Sequence, residues 1–205
     1  MRTAVEPPHL PSMLANLDPS DVDALEEHCR AYLTQLRWPT GAECPRCGES
    51  RVLFLEARRK WQCYGCRYQF SVTARTLFHN SHLPLWKWFV AVHLLVESAH
   101  GVSASRLRQV LDCSYKTAWF AGHRIRAAMR GHGEERLCEI VAAEAAHRRR
   151  FSGPYHHLSA KYLNAYLDER RWRAVHHGNA HVFRDTILAL LRTDGLSYDE
   201  LVALR

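Results

Sequence analysis

Long apolar runs are missing from this chain of 205 residues. The longest apolar-rich stretch, Leu83 to Val96, is interrupted by Lys87 and His93. It falls short of the ~20 residues that a helical span needs, so a membrane protein is not expected. An apolar signal core is missing too. The opening run MRTAVEPPHLPSML holds two adjacent prolines and predicts no secretory leader, which argues for the cytoplasm. In that compartment the seven cysteines are expected as reduced thiols or metal ligands rather than disulfides. Acidic residues, finally, are scarce through the middle of the chain. Residues 40–80 hold seven Lys/Arg against three Asp/Glu (+4), and residues 81–133 hold seven against two (+5). The flanks are −3 over 1–39 and +1 over 134–205, so the net charge of +7 is concentrated centrally. Such a field predicts a polyanion partner and no small-molecule substrate.

What is present is an ordinary globular balance, 47% apolar and 24% charged. Residues 1–17 are read as a flexible lead-in containing three prolines. Residues 18–39 predict one amphipathic helix, with Asp18 as its cap and Pro19 at its first position. Val22, Leu25, Cys29, Tyr32, Leu33 and Leu36 recur at spacings of three and four along it.

Residues 40–80 carry the strongest local signal. Cys44-Pro45-Arg46-Cys47 is followed after fifteen residues by Cys63-Tyr64-Gly65-Cys66. Two thiolates two residues apart chelate one ion from a tight turn, and two such knuckles fill a tetrahedron. With four cysteine ligands no position is left for water, so the predicted Zn²⁺ is one structural ion. Short strands are expected at Val52–Leu55, Lys60–Gln62 and Tyr68–Val72, with a turn at Ala57–Arg59: a zinc ribbon.

Residues 81–133 switch to a helical period. Pro84 opens a helix with Leu85, Phe89, Val92 and Val96 on one face. Ser103 caps a short second helix bearing Leu107, Val110 and Leu111, and Asp112-Cys113-Ser114 turns into a third. This pattern predicts a helix-turn-helix, whose last helix enters the major groove of double-stranded DNA. Candidate DNA contacts are Ser114, Tyr115, Lys116 and Thr117 in its first turn, then His123, Arg124 and Arg126. Arg106 and Arg108 on the second helix are candidate phosphate contacts. The fold class expected is mainly α with a small β zinc ribbon, in the order helix, ribbon, helix-turn-helix and C-terminal helices.

The runs CPRCG, WQCYGCRYQFSVTARTLFHNSHLPLWKWF and GVSASRLRQVLDCSYKTAWFAGHRIRAAM resemble the N-terminal half of bacterial zinc-ribbon insertion-sequence transposases of the DDE class. That resemblance covers roughly residues 20–130. It implies that Cys44, Cys47, Cys63 and Cys66 hold zinc and that the helix from Ser114 to Arg126 meets transposon-end DNA. In that family an RNase H-like domain with metal-binding carboxylates follows. Here the position of the first catalytic Asp is Ala143, after a strand-like Glu139-Ile140-Val141, and FSGPYHHLSAKYLNAYLDERRWR resembles the family's extreme C-terminus. The resemblance therefore implies a chain lacking the catalytic domain, with no catalytic residues.

The acids of residues 134–205, a C-terminal helical remnant, have local explanations. Asp168 and Glu169 precede Arg170 and Arg171, and Glu200 completes a capping box with Ser197. The expected protein is nucleoid-associated and catalytically inactive, recognises duplex DNA through its zinc ribbon and helix-turn-helix, and regulates transcription or transposition. It would act as a homo-oligomer or beside an intact transposase. The alternative is a transposase subunit that still takes part in transposition with such a partner.

Overall fold

The computed structural model describes residues 21–98, 100–130 and 162–203. The lead-in, Asp18 and Pro19, the Glu139–Val141 strand, Ala143, Glu144, the FSGPYHH motif and Leu204 lie outside the described residues. Among those described, the first element is α1 (Val22–Arg37), capped by Asp21, whose carboxylate accepts from the Ala24 N–H at 2.9 Å. Strands β1 (Val52–Leu55), β2 (Lys60–Cys63) and β3 (Gln69–Phe70) form an antiparallel sheet in that order. Six helices follow: α2 (Leu85–Glu97), α3 (Ala104–Leu111), α4 (Tyr115–Ala128), α5 (Leu163–Val175), α6 (Val182–Arg192) and α7 (Tyr198–Ala203). The protein is mainly α with a small β ribbon, as the sequence predicts.

The chain divides into two compact units, and their grouping differs from the contiguous segments drawn on the sequence. One contains the described residues up to Phe89 together with Ile187–Gly195. In this unit α1 buries Leu25, Cys29, Tyr32 and Leu33, the stripe its periodicity predicts, whereas Val22 is left exposed and Leu36 half-buried. Register in the sheet pairs Val52 with Cys63, Phe54 with Trp61, Trp61 with Phe70 and Gln62 with Gln69. Strand side chains alternate between faces. One face therefore carries Val52, Phe54, Trp61, Cys63 and Phe70, and the other carries Leu53, Leu55, Lys60, Gln62 and Gln69.

The first face packs a small aromatic core. Trp38, just past α1, meets Trp61 and Phe70 edge-on at 5.0 and 5.8 Å between centroids. β3 is shorter than the expected Tyr68–Val72 because the chain turns at once: the Ala74 N–H donates to the Ser71 carbonyl. The 71–83 segment then buries Val72, Leu77 and Phe78, and the Leu77 N–H donates to the Leu190 carbonyl of α6. A side chain at Gly195 would place its Cβ 2.9 Å from the Thr76 carbonyl, so only glycine allows this approach.

The second unit contains residues 90–186 and 196 onward among those described. Here α3 and α4 are joined by a turn at Asp112, whose positive φ of 44° ends α3 in the left-handed conformation. Ser103 and Ser114 cap their helices as expected, accepting from the N–H groups of Arg106 and Thr117. Leu107 and Leu111 are buried, but Val110 is exposed, because only the positions four apart face α4. The helices approach closely where α4 has Gly122; a Cβ there would lie 3.0 Å from Leu107 Cδ1 and 2.9 Å from the Arg126 guanidinium. Tyr166 and Trp172 of α5, Phe183 of α6 and Leu201 of α7 complete the core.

Candidate metal centre and the surface of the fourth helix

Each pair of cysteines enters from a turn. The Gly48 N–H donates to the Cys44 carbonyl, and Gly48 holds φ at 75°, which closes the first knuckle. Arg67 takes the corresponding position after the second, at φ 59°, with its N–H donating to the Cys63 carbonyl. Cys63 is the last residue of β2, so the sheet register fixes one knuckle and the Cys44 N–H bond to the Glu49 carbonyl fixes the other.

The four Sγ atoms lie within 4.8 Å of one another. Cys44 is 3.6 Å from Cys66, and Cys47 is 3.6 Å from Cys63. A regular tetrahedron of sulfurs about Zn²⁺ at 2.3 Å has edges of about 3.8 Å. The thiols therefore already stand at ligand separation. Burial pushes the Cys44 thiol up, but the N–H groups of Arg46 and Cys47 and the neighbouring thiols outweigh it and bring it down to about 7. Cys47 gains from the Glu49 N–H, yet its sulfur neighbours push it up to about 12. A shared proton set of this kind is released when a soft cation enters. Among the described residues this is the group of cysteines placed for one metal ion. Cys29 is apart from it, fully buried, its thiol pushed up to about 12 by burial and by Glu26.

The sequence-predicted DNA contacts separate into two sets. Ser114, Tyr115 and Lys116 are exposed and Thr117 is half-buried, so the first turn of α4 faces outward. Arg106 and Arg108 on α3 are exposed as well. The Lys116 ammonium stands 5.4 Å from the Tyr198 ring at the start of α7.

His123, Arg124 and Arg126 are corrected by the structure. Expected on the outer face, they are 4, 4 and 1% exposed. The physical reason is that the C-terminal half of α4 is enclosed by α3, α5 and α7, so a run that looks polar in sequence is an interior one. His123 lies against Trp119, Tyr162 and Tyr166 at 4.2, 5.2 and 5.7 Å. Burial, then the Arg126 charge, lowers its pKa to about 3, so the imidazole is neutral. Arg124 donates to the Leu196 carbonyl at 2.5 and 3.0 Å. Arg126 donates to Glu169 at 2.6 Å and to the Val102 carbonyl at 2.7 Å. Arg173 also binds Glu169 and donates to the Leu95 carbonyl at 3.2 Å. Glu169 has no exposed surface and two arginine partners. The i,i+4 spacing of Glu169 and Arg173 hinted at half of this triad, but no local pattern points from Arg126 to Glu169.

A small hollow of about 30 Å³, its lining mostly apolar, lies beside this triad between His123, Arg126, Ala127, Tyr162, Ala165 and Leu201, with Arg130 and Asp168 at its side. It has room for about one water. Burial raises the Asp168 carboxyl against the pull of Arg171, whose guanidinium donates to it at 3.3 Å. No helix among the described residues is long and apolar enough to cross a membrane.

Comparison with known proteins bears on the ribbon. Residues 25–69 match the family described as transposase zinc-ribbon domain. A relative from Halobacterium salinarum, described as an uncharacterized protein in transposable element ISH50, is 31% identical over 107 residues. The aligned stretch is 51% of this chain and 36% of the relative, so the chain spans about a third of that protein's length. No solved structure matches the chain. The 25–69 segment is thus similar in sequence to transposase zinc-ribbon domains, and its four cysteines are placed to hold one zinc ion.

Proposed function

We propose that this chain is a transposase-related protein that binds double-stranded DNA and does not itself cut or join strands. The observation that carries the reading is the four-cysteine centre within a segment matching transposase zinc ribbons. The outward first turn of α4, with Ser114, Tyr115, Lys116 and Thr117, supports a helix-turn-helix role for α3 and α4. Arg106 and Arg108 fit phosphates beside it. The central excess of positive charge agrees with a polyanion partner.

Catalytic inactivity is supported by the uses to which the described acids are put. Glu169 is consumed in the arginine triad, Asp168 pairs with Arg171, Asp185 accepts from Asn179, and Glu200 closes the capping box with Ser197. Two-metal phosphoryl chemistry needs carboxylates that converge on ions. A binder of this kind occupies transposon ends or operators in the nucleoid of the cytoplasm and regulates transposition or transcription, alone or as a homo-oligomer. The relative's place in a transposable element favours a second reading, a subunit acting in transposition beside an intact transposase.

Selection of bound duplexes from genomic fragments, followed by anisotropy titration, tests the proposal. Lys116→Ala should cost about 1–3 kcal/mol on the preferred site and much less on random DNA. Arg108→Ala should weaken both alike and reduce the log–log salt slope by about 0.9. Wild-type protein that retains no duplex at any salt concentration would refute the reading.

A further inference from the structure

Strand β1 has a neighbour on one side only, since the strands run in the order β1, β2, β3. Which of its backbone groups are left over follows from the register. The Tyr64 N–H donates to the Arg51 carbonyl, and the Cys63 N–H donates to the Tyr68 carbonyl. Bonded and non-bonded pairs alternate along an antiparallel ladder. Leu53–Gln62 and Leu55–Lys60 are therefore bonded pairs, whereas Val52 and Phe54 turn their N–H and C=O groups to the open edge. No described residue hydrogen-bonds to these groups there. Sheet edges are usually guarded by charge, proline or a bulge. Val52-Leu53-Phe54-Leu55 has none of these, and Leu53 and Phe54 are 48 and 43% exposed on opposite faces.

An open groove of about 390 Å³ lies along this strand, lined by Thr40, Glu43, Ser50, Val52, Phe54 and Trp61 among others. It has an aromatic wall: the Phe54 and Trp61 rings stand 4.8 Å apart between centroids, tilted by 51°. Glu43 is the charged residue of the lining. Glu49 and Glu27 are taken up by Arg51 and Arg59, but Glu43 pairs with no described residue. An unpaired carboxylate in a groove with aromatic faces attracts a cation, by its charge and by the ring quadrupoles. The same carboxylate repels phosphate. One cationic side chain is matched here and a polybasic run is not, because residues 40–80 carry +4.

We infer that the β1 edge is a docking site for an extended peptide segment of another protein. That segment adds a fourth strand to the sheet and seats one Lys or Arg side chain in the groove, against Glu43 and the Phe54 and Trp61 rings. Main-chain bonds to Val52 and Phe54 supply affinity, and the groove supplies the choice of side chain. A second copy of this chain is a poorer match. A four-residue strand, about 14 Å long, covers a small part of the ~1,200 Å² that a stable dimer buries. Each copy would also bring its own excess of positive charge to the contact.

Selection from a displayed library of random peptides about ten residues long, on the full zinc-loaded chain, supplies the probe. Selected peptides should share one Lys or Arg, with β-branched residues at alternate positions. In anisotropy titrations the leading peptide should lose about tenfold or more when N-methyl groups block the residues that bond Val52 and Phe54. Methyl groups at the intervening residues should cost little. Norleucine in place of its cation should cost about 3- to 30-fold. Glu43→Gln should cost about 2- to 5-fold on the parent peptide and nothing on the norleucine one. Zinc content of Glu43→Gln should match wild type, and the peptide changes alter nothing in the chain, so misfolding cannot mimic these results. A library without binders, binders without a cation, or a Glu43→Gln loss that persists with norleucine overturns the proposal. Even tolerance of N-methyl groups along the peptide excludes an added strand and overturns it too. Sedimentation should show no self-association that Phe54→Ser removes; a dimer split by that change would give the edge to a second copy, and the proposal would fall.

Discussion

Arg126 and Glu169 form a fully buried ion pair among the described residues. Both are enclosed, and the carboxylate is shared with Arg173. Removing one member of a buried pair strands the other charge, at a cost of about 3–5 kcal/mol. Glu169→Ala should therefore unfold at a much lower urea midpoint. Arg126→Met with Glu169→Leu, which removes both charges, should recover part of the loss. A Glu169→Ala midpoint equal to wild type would show that the pair is solvated. His123 makes a second residue-scale prediction. Its folded pKa, about 3, lies below the ordinary value of 6.5. Below pH 6.5 the unfolded chain therefore takes up a proton that the folded chain refuses. The stabilisation is complete above pH 6.5 and is lost as pH falls, at up to about 1.4 kcal/mol per pH unit. Denaturation between pH 7 and 5 should show this slope, and His123→Phe, which keeps a ring against Trp119, should flatten it.

At the scale of elements, the ribbon depends on its ion. Its core is a few aromatic rings and two of the cysteines themselves, so metal binding supplies much of its folding free energy. Cys63→Ser should lower zinc content from one ion per chain and loosen the sheet, as measured by elemental analysis and amide exchange. The circular dichroism of the helices should largely persist. Full occupancy in that variant would mean the ligands are other residues. The ribbon was legible because chelation by paired cysteines is a local requirement written in their spacing. The caps of α3 and α4 were legible for the same reason: Ser103 and Ser114 satisfy N–H groups three residues away, whereas the described first helix is capped by Asp21. The inner half of α4 was not. His123, Arg124 and Arg126 are polar by composition, and only partners 72 and 43 residues further along make two of them interior. Strand β3 was overdrawn because a turn hydrogen bond, invisible to alternation, competes with the ladder after Phe70.

Taken as a whole molecule, the chain offers its charge rather than its acids as the guide to function. Incubated with Mg²⁺ or Mn²⁺ and its selected duplex, the purified protein should leave strands intact on a denaturing gel. Cleavage abolished by Asp168→Ala would instead assign it nuclease chemistry. The grouping of the units was not legible, because each is assembled from two separated stretches. Periodicity reports which face of a helix is apolar, not which distant helix will cover it.

The hydrogen bond from Leu77 to Leu190 and the ion pair from Arg126 to Glu169 have a consequence during synthesis. A ribosome delivers the chain from its N-terminus at ~5–20 residues per second. When residue 130 has emerged, neither unit has its closing helix, and the Arg126 guanidinium has no carboxylate. The zinc centre, complete at Cys66, is by contrast ready to form before either of those partners has been made. The nascent protein thus acquires its metal before its helical units close. A stop codon soon after residue 130 would release a product that can hold zinc but lacks Glu169 and Leu190, leaving both helical cores open to proteolysis.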